Sequence, residues 1–134
     1  MTKKENLRAA QRARRTREQA VRQLCKEYIG ISPETAACCI PSEAAKQCRV
    51  ISEMFVDWAQ TEGHKAFLVG LVGRPRFLCI QDDKYEHFAA EINGMIVDWT
   101  LRQFQPAATF PTIYSSFARW AAQWGDFEAE PQYL

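Results

Sequence analysis

No stretch of the 134-residue chain comes near the run of about 20 apolar residues that a membrane helix needs. The opening residues, Met1-Thr2-Lys3-Lys4-Glu5-Asn6-Leu7-Arg8, lack the apolar centre of a secretory signal. Histidine is scarce, with only His64 and His87, and no two cysteines are spaced as Cys-x-x-Cys, so tetrahedral Cys/His zinc ligation is not expected. The five cysteines (Cys25, Cys38, Cys39, Cys48, Cys79) are odd in number and include a vicinal pair. Together with the missing export signal, this predicts reduced thiols in a cytosol rather than a disulfide framework. No internal repeat or low-complexity tract occurs beyond a basic N-terminal segment. What remains is ordinary globular material, 47% hydrophobic, 12% aromatic and 25% charged. A chain of this length predicts one domain able to bury a real core without staples.

The formal charge of +1 hides an asymmetry. Residues 1–27 hold nine Lys or Arg against three acids, so that segment carries +6 and the remainder −5. A basic arm over 1–30 thus precedes a mildly acidic domain over 31–134. The arm is rich in helix formers and has no Gly or Pro before Gly30. Its second half carries an apolar stripe at i, i+3, i+4, i+7: Val21, Leu24, Cys25 and Tyr28. That half is expected to dock. The first half is either a solvated helix or a contact for nucleic acid or an acidic partner, with Arg8, Arg12 and Arg15 as the candidate residues.

In the body, a short helix is expected over 33–40. Ser42 then reads as the N-cap of a helix running to about Thr61 and closed by Gly63, with Ile51, Met54, Phe55 and Trp58 as its apolar face. Cys48 belongs to that inward face. Strand patterns follow: Ala66–Val72, a turn at Gly73-Arg74-Pro75-Arg76, Phe77–Ile80, a polar loop from Gln81 to Tyr85, His87–Ile92 and Met95–Trp99. Thr112–Trp124 reads as a helix presenting Ile113, Phe117, Trp120 and Trp124, and the tail after it carries no pattern. His64, in a Glu-Gly-His-Lys turn, reads as an exposed loop residue.

Asn93-Gly94 predicts a two-residue hairpin, because a type I′ turn needs positive φ at both central positions. That turn sets the register Ile92–Met95, Glu91–Ile96, Ala90–Val97, Ala89–Asp98. Since side chains alternate along a strand, His87 shares the face of Ala89 and becomes a diagonal neighbour of Asp98. A carboxylate there can hold one imidazole nitrogen and leave the other free. The pair is either a structural hydrogen bond on a strand or the base and orienter of a triad. Cys48, near the start of a helix, is the best candidate nucleophile. The competing role for any one cysteine is that of a small buried hydrophobe.

The succession Cys48 and Ser52 on a helix, Gly63 before a strand, His87-Phe88, Asn93-Gly94, Val97-Asp98-Trp99-Thr100 and Gln103-Phe104 resembles the transglutaminase-like and papain-like cysteine hydrolase superfamily. The style is that of its small bacterial and phage members with glutamine deamidase activity. The resemblance spans about residues 42–115. It implies an α+β fold with a central helix packed on an antiparallel sheet. It also implies a triad of Cys48 as nucleophile, His87 as general base and acid, and Asp98 as orienter. The backbone N–H of Cys48 would be one oxyanion donor and Gln47 a candidate second. Gln103 and Phe104 would pack the strand exit. The implied activity is cysteine-dependent amide hydrolysis or acyl transfer without a cofactor, on a protein substrate offering a glutamine or other amide. A peptidase, or an inactive scaffold binding protein or nucleic acid through the arm, is the competing expectation. No membrane partner is expected, and the expected location is the cytoplasm, that of a host cell if the chain is phage-encoded.

Overall fold

In a computed structural model, residues 2–45, 47–76 and 84–129 are described, Asp126 by its backbone alone. They form an α+β structure whose curled antiparallel sheet has helical segments on both faces. The expected strand Phe77–Ile80 and most of the loop after it lie outside the described residues.

Helix α1 runs from Lys3 to Ile29. A capping box starts it: Thr2 Oγ1 accepts from the Glu5 N–H at 3.1 Å, and the Thr2 N–H donates to Glu5 Oε2 at 3.4 Å. Its expected stripe is the docked one, with Val21, Cys25 and Tyr28 buried and Leu24 packed beside them. Through Arg17 the helix is exposed apart from half-buried Ala9, so Arg8, Arg12 and Arg15 face solvent.

The helix expected from Ser42 to Thr61 is two helices. Helix α2 (Pro33–Ala37) is followed by α3 (Pro41–Ala44), which has Pro41 in its first turn and Ile40, not Ser42, at the N-cap. Ala45 is extended (φ −60°, ψ 130°) and ends α3 after the fully buried Ala44. Helix α4 then starts afresh as Cys48–Thr61, with Gln47 at its N-cap. Its buried face is Ile51, Ser52, Phe55, Val56 and Ala59, with Trp58 half-buried. Met54, expected inside, is 37% exposed, because the helix is rotated to present Val56 and Ala59 to the sheet.

The sheet order is β4-β3-β2-β1-β5, with β1 at Ala66–Pro75, β2 at Tyr85–Ile92, β3 at Met95–Asp98, β4 at Thr112–Tyr114 and β5 at Trp124–Ala129. The β2–β3 hairpin turns at Asn93 (φ 52°) and Gly94 (φ 83°), with Ile92 opposite Met95 and Ala90 opposite Val97, as the turn chemistry predicts.

Two expectations about the sheet are corrected. Gly73 does not begin a turn. Strand β1 continues through it to Pro75, with a register shift against β5 between Val72 and Arg74. The glycine serves close approach: a Cβ there would lie 3.0 Å from Phe127 Cβ and 3.2 Å from Gly125 O. Nor is Thr112–Trp124 a single helix. Thr112-Ile113-Tyr114 pairs with β3, and Ser116 caps the short helix α5 (Phe117–Ala121) through its hydroxyl. Trp124 opens β5, which pairs along β1 and gives structure to a tail that had shown no pattern. The β-branched and aromatic residues at 112–114 fit a pleated edge better than a helix.

One face of the sheet, with Ala90, Ile92 and Val97, packs on α4 and on the docked half of α1 around Tyr28, Phe55 and Trp99. The opposite face, with Val69, Leu71, Ala89 and Ile96, packs on Trp120, Ala121 and Trp124. Among the described residues no helix is long and apolar enough to cross a membrane. His64 is half-buried rather than exposed, its N–H held by Ala59 O at 2.9 Å where α4 closes.

Candidate functional site

His87 lies on the second face of the sheet. It pairs with Leu71 of β1, and the β2–β3 ladder extends only from Ala90 to Ile92, so no β3 residue lies opposite it. The chain leaves β3 at Asp98 and turns through Trp99 and Thr100 into a 3-10 turn at Leu101–Gln103. The carboxylate thus stays at the strand end, diagonal to His87. His87 Nε2 meets Asp98 Oδ2 at 2.7 Å, and both side chains are fully buried.

Two further donors hold the carboxylate. Trp120 Nε1–H donates to Oδ2 at 3.1 Å, and the Thr100 N–H donates to Oδ1 at 3.1 Å. The Gln103 side-chain amide donates in turn to Thr100 Oγ1 at 3.3 Å. Around the imidazole stand aromatic rings: Trp124 stacks on it with centroids 5.0 Å apart, Phe104 meets it edge-on at 5.6 Å, and Trp120 lies at 5.9 Å. Buried carboxylates need such partners, since an unpaired charge inside a protein is costly.

His87 Nδ1 is buried and makes no hydrogen bond of regular geometry among the described residues. The Cys48 thiol is nevertheless near enough to act on the ring. These two facts together describe a loose contact between the thiol and the ring. Burial alone would lower the pKa of His87. The charge of Asp98, its hydrogen bond and the Cys48 thiol outweigh burial and push it up from 6.5 to about 10. The carboxylate and the sulfur thus both favour the charged form of the ring. Tyr114 also feels this centre: burial, then the Asp98 charge, raises its hydroxyl pKa to about 12.

Cys48 is half-buried and is the first residue of α4. Among the described residues no side-chain hydrogen bond is made at its N-cap, and its first turn carries no acidic residue. Its positive end is left for negative charge arising at the site, and the first N–H groups of any helix have no partner within it. Gln47, exposed at the N-cap, keeps its side chain out of the cap. One turn beyond Cys48, Ser52 is fully buried, and its Oγ has no hydrogen-bond partner among the described residues.

The sequence-predicted residues Cys48, His87 and Asp98 are thus brought together, whereas Arg8, Arg12 and Arg15 stand apart on α1. The other thiols differ from Cys48. Cys25 and Cys38 are buried, and burial pushes their pKa values up to about 12 and about 11, with Arg22 partly opposing the shift at Cys25. Among the described residues no cluster of His, Cys, Asp and Glu is arranged to hold a metal ion.

Sequence reasoning missed Trp120, Thr100 and Trp124 as parts of this centre. A backbone N–H leaves no mark in a sequence. Trp120 was readable only as an apolar helix position, although an indole N–H that enters a core regularly seeks an acceptor. Comparison with family models, with curated proteins and with solved structures finds no match to this chain.

Proposed function

We propose that this chain is a cysteine-dependent amide hydrolase or acyl transferase of papain- or transglutaminase-like architecture, acting through Cys48, His87 and Asp98. One observation carries the reading: His87 is tied through Nε2 to Asp98 Oδ2 at 2.7 Å, its Nδ1 has no hydrogen-bond partner among the described residues, and the Cys48 thiol is near enough to act on the ring. A purely structural histidine needs no reactive group at its second nitrogen.

In the reaction, the Cys48 thiolate, facing the His87 imidazolium, attacks a carboxamide carbon. The oxyanion forms at the start of α4, where the Cys48 N–H is a donor and the Gln47 amide is the candidate second. Collapse breaks the C–N bond as His87 Nδ1 gives its proton to the departing amine. Water then attacks the thioester, His87 takes the water proton, and the C–S bond breaks to release the carboxylic acid and restore the Cys48 thiolate beside the His87 imidazolium. Asp98 holds the ring orientation and stabilises its charged form. No cofactor enters this sequence. A protein glutamine is the leading substrate, which rests on the resemblance carried by residues 42–115.

The test uses the purified chain and a glutamine-bearing protein. Release of ammonia with conversion of glutamine to glutamate identifies a deamidase. A new amine terminus identifies a peptidase, and incorporation of an added primary amine identifies a transferase. Cys48→Ala must abolish whichever is seen. Full biological effect from folded Cys48→Ala protein refutes the reading in favour of an inactive scaffold.

The exposed first half of α1 supports that second reading, with Arg8, Arg12 and Arg15 free to meet an acidic partner or nucleic acid. Nucleic-acid binding would fall steeply with salt and vanish on deletion of residues 1–18. Salt-independent binding would exclude it.

A further inference from the structure

Between α1, the edge strand β4 and α5 lies a cleft of about 320 Å³ that neither Cys48, His87 nor Asp98 lines. Arg14 enters it from α1 and Arg119 from α5, with Tyr114 and Ser115 beside them and Met95 among its apolar wall residues. Among the described residues neither arginine has a carboxylate partner. Glu18, the acid lining the cleft among the described residues, is already engaged, by Arg22 at 2.8 Å. Two uncompensated guanidiniums converge with two hydroxyl-bearing residues on one concave space. Guanidinium forks match tetrahedral oxyanions through paired N–H donors, and hydroxyls add donors of flexible direction.

We propose that this cleft is a binding site for a small phosphate monoester or free phosphate, held by Arg14 and Arg119 with Tyr114 and Ser115 as neutral donors. A dianionic phosphoryl group satisfies both arginines at once, and the volume leaves room for a small organic body beyond it. A phosphodiester backbone has one charge per phosphate and is flanked by sugars on both sides, which fits a concave cleft less well. Bound there, the ligand would bridge the arm to the sheet, because Arg14 belongs to α1 and Tyr114 to β4.

The experiment measures thermal unfolding of the full chain against inorganic phosphate, a nucleoside monophosphate and a single-stranded oligonucleotide, each beside chloride at matched ionic strength. A saturable rise in Tm with phosphate or the monophosphate is expected. The nucleotide saturates at lower concentration if the ligand is a monoester, and equally if free phosphate suffices. The rise should be lost in Arg14→Gln/Arg119→Gln and kept in Lys4→Gln, whose side chain is on the same helix outside the cleft. A second readout protects against a folding defect: the double variant must show the wild-type circular dichroism spectrum, and the single variants should each weaken the midpoint by 10-fold or more. A phosphate response no larger than that of chloride, or one that survives in the folded double variant, overturns the proposal. So does binding of the oligonucleotide alone.

Discussion

Replacing Asp98 by Asn tests the centre with the least change of shape. The carboxylate accepts from three buried donors: His87 Nε2–H, Trp120 Nε1–H and the Thr100 N–H. An amide has one oxygen. If that oxygen faces His87 and Trp120, the NH2 group meets the Thr100 N–H. If it faces Thr100, the NH2 group meets the Trp120 N–H. Either way a buried donor opposes a donor, at about 1–3 kcal/mol. For a chain of this size that is about 3–5 °C of Tm per kcal/mol.

The sharper signature is in pH. His87 has a folded pKa near 10 against 6.5 unfolded, so its stabilisation is complete below pH 6.5 and is lost as pH rises towards 10. The slope is about 1.4 kcal/mol per pH unit, so about 2 kcal/mol should disappear between pH 6.5 and 8.5. Cys25 and Cys38 also destabilise the fold at alkaline pH, because their thiols ionise only in the unfolded chain, but that begins near pH 9. The window from 6.5 to 8.5 therefore isolates the histidine. In Asp98→Asn the loss of the carboxylate charge leaves burial dominant, so the alkaline slope should vanish and stability should instead fall as pH drops below 6.5. Urea unfolding at pH 5.5, 6.5, 7.5 and 8.5 on both proteins reads this directly. A wild-type curve flat across the window, or a variant that keeps the wild-type slope, would refute the pairing argument.

Three further outcomes are expected. Iodoacetamide at neutral pH should label Cys48 well ahead of Cys25 and Cys38, which are buried and protonated, and peptide mapping would read the order; equal rates would remove the case for an activated thiol. Phe55→Ala, at a fully buried ring meeting Tyr28 at 5.1 Å and Trp99 at 5.2 Å, should cost about 3–5 kcal/mol by chemical denaturation, and a loss below about 1 kcal/mol would contradict the core described above. Gly73→Ala should cost about 1–3 kcal/mol and change Trp124 fluorescence, since the added methyl meets Phe127 Cβ at 3.0 Å; an unchanged spectrum and stability would mean that β5 does not lie so close to β1.

Local chemistry was legible wherever it acts within a few residues. The apolar stripe of α1 follows from helical spacing alone. The Asn93-Gly94 turn sets the hairpin register, and through it the side-chain alternation that makes His87 and Asp98 neighbours, because a two-residue type I′ loop admits one pairing. Tertiary structure decided what depends on distant partners. The break at Ala45 that makes Cys48 the first residue of α4 has no strong local signal, since Ser42 is an equally good cap; burial of Ala44 and a second helix start chose between them. Residues 112–124 have helical apolar spacing and the tail after them has none, yet 112–129 form β4, α5 and β5, because pairing with β3 and with β1 satisfies backbone groups along both sides of the sheet. The Asp98 contacts to Trp120 and to the Thr100 N–H likewise arise only once those segments fold over the strand end. Sequence spacing can set a register along one hairpin, but it carries no information about which distant donor closes over a buried charge.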